Sequence, residues 1–272
     1  MTDIDLSELT NPARYDDPEW MRIHRDLEAY AIDKHCFRHT SGQVYRKGWE
    51  WTHCLFGLQQ LGAITPSASA VGVGVGREPV IFYLADRIAA VVATDMYDNG
   101  AWSTSQGKEA SREMVEVAKA NCPASTDFSR IRFENQDGTR LTYDDDRFDI
   151  AWSLSSIEHF GGHGAACKAL SEMGRVVRPG GIVAVATEVL LLDDQEHGEY
   201  FNRRALFEEL IEPCQHLELI GRINFDTLPK EYLVDSVVFP HGAERLRRHV
   251  VLNDGQVQWT SLMMFFRKIR AV

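Results

Sequence analysis

The spacing of hydrophobic positions changes near residue 66. Before it, Trp20, Ile23, Leu27 and Tyr30 follow Pro18 at helical intervals, and Trp51, Cys54, Leu55, Leu58 and Leu61 share one face of a second helix over 48–61. This periodicity predicts a largely helical lead-in of about 60 residues. Beyond it, short apolar runs at 68–73, 89–94, 131–135, 148–154 and 182–187 alternate with helical segments around 78–88, 108–120 and 165–177. Nearly continuous apolar strands separated by helices predict a parallel sheet covered on both faces. Arg178-Pro179-Gly180-Gly181 reads as the stop that turns the third of these helices into the fifth strand. A further helix is expected over 203–211 and a strand near 217–225. The chain closes on a hairpin, 249–252 and 257–266 joined by the turn Asn253-Asp254-Gly255.

Where the first of these strands should pass into a helix stands Val71-Gly72-Val73-Gly74-Val75-Gly76. Glycines there permit positive φ and close approach of a ligand, and a helix start offers free N–H groups to an anion. A tight turn alone would also use glycine, so the surroundings decide. The second strand ends in Asp95, 19 residues after Gly76 (95 − 76), about the distance at which a carboxylate meets ribose hydroxyls. The third ends in Asn135-Gln136-Asp137-Gly138, and the fourth opens into Ser155-Ser156-Ile157-Glu158-His159-Phe160. Ligands of open α/β sheets sit beyond the carboxyl ends of the strands, so these positions converge on one crevice.

In this order the motifs resemble the class I S-adenosylmethionine-dependent methyltransferases over roughly 67–190, and the closing hairpin is similar to that family's reversed last strand. The resemblance implies a Rossmann-like α/β fold: a mostly parallel seven-stranded sheet with an antiparallel last strand. Residues 1–66 would be an N-terminal helical cap and 67–272 the methyltransferase domain, with 226–248 a specificity insertion. It also implies S-adenosyl-L-methionine as cofactor. Gly72, Gly74 and Gly76 would border its methionine part, Asp95 would bind the ribose, and Met96 would lie against the adenine. Asp137 with the Gly138 backbone would reach the adenine amino group. Ser153 and Ser155 complete that set, and the run from Ser153 to Glu158 would line the methyl-transfer site. One position departs from the family pattern: Ala70 stands where many members carry an acid. Glu78 either replaces it against the cofactor's ammonium or simply complements a helix dipole.

A nicotinamide-binding oxidoreductase and a non-catalytic cofactor-binding protein are the alternatives. The dinucleotide fingerprint G-x-G-x-x-G/A fails here, because its third position is Arg77 counted from Gly72 and Pro79 counted from Gly74. For methyl transfer to oxygen a base is useful, and His159 beside Glu158 is the leading candidate, with His163 a weaker one. Glu158, His159 and His163 would need a further ligand from the rim to hold a metal, so none is expected. Trp49, Trp51 and His53 either roof the site or form the packed face of their helix. The Asp144-Asp145-Asp146 run reads as a solvated turn, and Asp149 as structural.

Composition narrows the partners. With 44% hydrophobic and 25% charged residues, 272 residues suffice for a core without a metal or disulfide. The five cysteines are scattered and odd in number, with no zinc-knuckle spacing. A net charge of −11 disfavours nucleic acid, and no apolar run approaches membrane-spanning length. A cytoplasmic enzyme acting on a small-molecule acceptor is expected, since Ser155 to Gly162 resembles bacterial methyltransferases of sugar and secondary-metabolite pathways. Arg245-Leu246-Arg247-Arg248 would meet an anionic substrate or stand as a solvated basic turn.

Overall fold

Asp17 starts the first long helix: its side chain accepts from the backbone N–H groups of Glu19 and Trp20, and Pro18 occupies the first turn. The computed structural model describes residues 5–38, 44–99, 101–104, 108–234, 236–238 and 249–269. In chain order the lead-in holds β1 (Glu8–Leu9), α1 (Pro18–Glu28) and α2 (Arg46–Gln60). The alternating region holds β2 (Ser69–Val73), α3 (Pro79–Ala85), β3 (Ala90–Asp95), α4 (Ala101–Thr104), α5 (Arg112–Asn121), β4 (Ile131–Asn135), β5 (Phe148–Leu154), α6 (His163–Val176) and β6 (Val177–Leu190). There follow α7 (Arg203–Ala205), β7 (Leu217–Leu219), α8 (Lys230–Val234), β8 (Val237–Val238), β9 (Leu252–Asn253) and β10 (Gln258–Lys268).

The sheet runs β4-β3-β2-β5-β6-β10-β9-β8, with β1 and β7 also paired to β10. Strands β4, β3, β2, β5 and β6 are parallel, and β10 runs antiparallel to β6 from Trp259 opposite Leu190 to Arg267 opposite Ile182. Those six strands with β7 form the expected seven; β1, β8 and β9 extend them to ten. The chain leaves β2 toward β3 and β4, then returns to β5 on the other side. The order therefore reverses between β2 and β5, and a crevice opens at their carboxyl ends.

Several boundaries differ from the sequence expectation for local reasons. Helix α3 begins at Pro79, which suits a first helical turn, and has already ended at Ala85. The segment after α7 winds as a π-helix over Leu206–Ile211. Strand β6 begins at Val177 and runs through the Pro-Gly-Gly turn, where its register against β5 shifts. The closing hairpin is only two pairs long, Gln258 with Asn253 and Trp259 with Leu252. Most of β10 is buried on both faces, so it pairs within the sheet with β6, β7 and β1.

Helix α2 lies against β10 and β6, with α1 packed on it. Trp20, Ile23, Leu27, Trp49 and Leu55 share one buried cluster with Val91, Trp152 and Phe265 of the sheet. Trp49, Trp51 and His53 belong to this interior. Among the described residues no helix is long and apolar enough to cross a membrane. Arg245-Leu246-Arg247-Arg248 and part of the 226–248 stretch lie outside the described residues.

His53 gives this interior a pH dependence. Its Nε2 donates to the Leu6 carbonyl at 2.8 Å and the ring stacks on Trp49, while burial, opposed by nearby Glu8, pushes its pKa down to about 4. The unfolded chain takes up a proton near pH 6.5 and the folded one only near 4. This share of stability is complete above 6.5 and is lost as pH falls between those values. At ~1.4 kcal/mol per pH unit the loss amounts to about 3 kcal/mol. Urea unfolding of His53→Gln should show a flatter dependence between pH 6.5 and 4.5 than the parent chain. Identical slopes would contradict this role.

Candidate active site

The turn after β2 folds back onto β3. The N–H groups of Gly74 and Val75 both donate to the Thr94 carbonyl, at 2.9 and 3.1 Å. Gly74 has φ +67° and Gly76 φ +47°, a region that side chains rarely tolerate. Space is short as well. A Cβ at Gly76 would lie 2.4 Å from the Glu109 carbonyl oxygen, and one at Gly74 would lie 2.8 Å from the Phe160 ring. The Phe160 ring also reaches Gly138, where a Cβ would meet it at 2.4 Å. These glycines thus admit both the turn and a ring that spans the crevice.

Asp95, at the end of β3, closes the loop from the far side. Its Oδ2 accepts from the Gly76 N–H at 2.8 Å and its Oδ1 from the Met96 N–H at 2.7 Å. Burial pushes its pKa up against the pull of those two bonds. Each carboxylate oxygen has a second lone pair, so these bonds orient the group without exhausting it. Met96 beside it is 47% exposed, an apolar thioether at the mouth of the crevice. Asp137 is exposed, its Oδ1 held by the N–H and hydroxyl of Thr139 at 2.9 and 2.7 Å, while Gly138 is buried.

The residues after β5 separate into supports and reactive groups. Ser153 is fully buried, and its hydroxyl donates to the Val73 carbonyl at 2.7 Å, tying β5 to β2. Ser156 does the same for Gly74 at 2.7 Å. Ser155 has φ +51° and a buried hydroxyl with no hydrogen-bond partner. Glu158 is fully buried; Thr187 donates to its Oε2 at 3.2 Å, and Oε1 has no partner. Burial and the Glu188 carboxylate push its pKa up to about 7. His159 is held through Nδ1 by Glu199 Oε2 at 2.9 Å, with the Trp102 ring 5.3 Å away. His163 is not brought to this point. Its Nδ1 pairs with Glu209 at 2.9 Å and its ring stacks on Phe201.

Helix α2 supplies charges that the sequence reading missed. Arg46 pairs with Glu188 and with Glu50 (3.3 Å), and donates to the Ser261 hydroxyl at 2.7 Å. Lys47 donates to Glu50 Oε2 at 2.9 Å and to the Leu154 carbonyl, the last residue of β5, at 2.8 Å. Partly buried Glu78 accepts from the Trp152 ring N–H at 3.4 Å. Burial pushes its pKa up to about 8 against the pull of Lys47. Glu188 had a sequence signal, since it follows an apolar strand as Asp95 ends one. Arg46 and Lys47 had none, because their partners are set by packing.

Residues 71–185 match a family model described as a methyltransferase domain. The chain is 32% identical to Methyltransferase GfsG of Streptomyces halstedii, over 46% of this chain and 39% of that protein. It is 33% identical to an O-methyltransferase of Pyrenophora dematioidea, over 32% of this chain and 31% of that one. The chain thus spans well under half the length of the curated relatives it matches. Among solved structures, it superposes on geranyl diphosphate C-methyltransferase from Streptomyces coelicolor A3(2), solved with Mg2+, geranyl diphosphate and S-adenosyl-L-homocysteine. The TM-score is 0.52 at 14% identity, covering 93% of this chain and 98% of that one.

Proposed function

We infer that this chain, whose residues 71–185 carry a methyltransferase domain, transfers a methyl group from S-adenosylmethionine to an oxygen of a small-molecule acceptor, a sugar or secondary metabolite. The observation that carries the reading is the Gly76 to Asp95 contact at 2.8 Å, which sets an oriented carboxylate against a glycine turn at the switch point of the sheet. The half-exposed Met96 beside it suits the face of an adenine. An O-methyltransferase among the relatives supports oxygen as the acceptor atom.

When bound, the cofactor supplies an activated methyl on a sulfonium. The chain's task is then alignment, which is worth on the order of 7–11 kcal/mol at best. The glycine turn, Asp95 and Met96 would hold the cofactor, and the acceptor oxygen would take the methyl as its own proton passes to solvent. In this reading Glu158 and His159 make the acceptor's proton easier to lose. Phe160, across Gly74 and Gly138, limits the water that reaches it.

Calorimetry with S-adenosylmethionine and S-adenosylhomocysteine tests the cofactor. Both should bind, and Asp95→Ala should weaken binding by about 10–100-fold, the worth of one charged hydrogen bond. No binding to either by the parent chain would end this reading. Transfer of labelled methyl onto fractionated small molecules tests the acceptor class. Label found only on protein or nucleic acid would overturn it.

A further inference from the structure

Glu158, His159 and Glu188 each offer a ligand atom within 4.8 Å of the other two. Glu158 and Glu188 are 0% and 4% exposed, so this is a buried cluster and not a patch of surface acids. A second, independent feature is Glu158 Oε1, a fully buried carboxylate oxygen with no partner. Leaving such an atom unmet is costly unless something fills the gap.

We propose that Glu158, His159 and Glu188 form a site for a divalent transition cation of the manganese, iron or zinc class, which binds and acidifies the acceptor hydroxyl. The inference rests on the proposed methyl transfer for its role, though not for the site itself. Two carboxylates and one imidazole make a mixed oxygen and nitrogen set, better suited to these ions than to calcium or magnesium. Ligand atoms at about 2.0–2.2 Å from a tetrahedral ion lie roughly 3.3–3.6 Å apart, so atoms already within 4.8 Å of one another need about an ångström of side-chain adjustment to assemble the site.

The surroundings support the assignment. Glu199 holds His159 through Nδ1, which leaves the Nε2 lone pair to a cation. This is the carboxylate–histidine arrangement that orients metal-binding imidazoles. The charges also balance. Glu50, Glu158, Glu188 and Glu199 against Arg46 and Lys47 leave two net negative charges (4 − 2), which a divalent ion would neutralise. Only three protein ligands are used, so coordination positions remain for the acceptor oxygen and water. His159 then serves as a ligand and not as the base that its position next to Glu158 suggested. His163, turned to Glu209, plays no part. Glu188 is the further rim ligand that the sequence reading called for without naming it.

The test uses the full chain stripped with EDTA and Mn2+ alone as probe, by calorimetry and electron paramagnetic resonance. One Mn2+ per chain is expected. Glu158→Gln and Glu188→Gln should weaken it at least about 10–100-fold, and Glu199→Gln by about 10–100-fold through His159. No Mn2+ binding by the parent chain, or unchanged affinity in folded Glu158→Gln, overturns the site. If Glu158→Gln does not fold, paramagnetic broadening of the His159 ring resonances by Mn2+ decides instead, and its absence overturns the site. S-adenosylmethionine affinity is measured on the same metal-free protein. Cofactor binding without Mn2+ binding removes the cation and keeps the methyltransferase reading. Mn2+ binding without cofactor binding does the reverse.

Discussion

His159→Ala should lower methyl-transfer turnover by about 10²–10⁴-fold, the range for losing a group that manages an acceptor proton. Affinity for S-adenosylmethionine should barely change. The reason is positional. The imidazole sits after β5 with Glu199 on Nδ1 and Trp102 beside it, whereas the glycine turn is held by Thr94 and Asp95. On the proposed function, removing the ring empties the acceptor side of the crevice and leaves the cofactor side standing. Glu199→Gln keeps the ring and weakens only its orientation, so it should fall between the parent and His159→Ala. Steady-state kinetics paired with calorimetry separate the effects. Full turnover in His159→Ala would remove this residue from the mechanism, and a parallel loss of cofactor affinity would recast it as structural.

The largest effect on stability is expected at Arg46. Arg46 is 7% exposed and its guanidinium pairs with Glu188 and Glu50, with Ser261 donating to Glu50 in turn. Such a buried pair adds little over an apolar replacement of the whole group, because desolvation offsets the attraction. Removing only the cation is different, since two carboxylates would stay buried with less to oppose them. Arg46→Leu should cost about 3–5 kcal/mol in denaturant unfolding. Adding Glu50→Gln should restore part of the loss, because one of the stranded charges goes with it. A cost below about 1 kcal/mol would mean that water or Lys47 already compensates the acids, contrary to the packing. Lys47 is the weaker partner for Glu188, as its own contacts are Glu50 and the Leu154 carbonyl.

Much of the fold, and the meeting of the glycine turn with Asp95, could be read without coordinates. Five apolar runs became β2 to β6, and the glycine turn and Asp95 met as their spacing required. That spacing is short-range. One strand, one helix and a neighbouring parallel strand leave little freedom in where the second strand ends. The reading was less complete where a residue's use depends on its neighbours. Ser153 was expected at the cofactor, yet its hydroxyl is spent on Val73, because a strand buried on both faces must satisfy its polar groups locally. Phe160 was noted only as part of a run, and its contact with Gly74 and Gly138 gave no sequence signal.

The sequence by itself determined the alternation of strands and helices, the glycine turn at the first of the parallel strands, and the acids at or just after the ends of the next two. Backbone sterics and hydrophobic period act over a few residues, so they are written into any short window. Only the tertiary structure decided which of the remaining polar residues share a pocket. Glu158 and Glu188 come together because β5 and β6 run parallel in a register that sets Leu154 opposite Ala186, so Glu188 in β6 lies beside the turn that follows β5. Arg46 joins them because α2 packs across β6 and β10, bringing residue 46 against Ser261. These meetings depend on register and burial across the whole chain, and no local pattern encodes them.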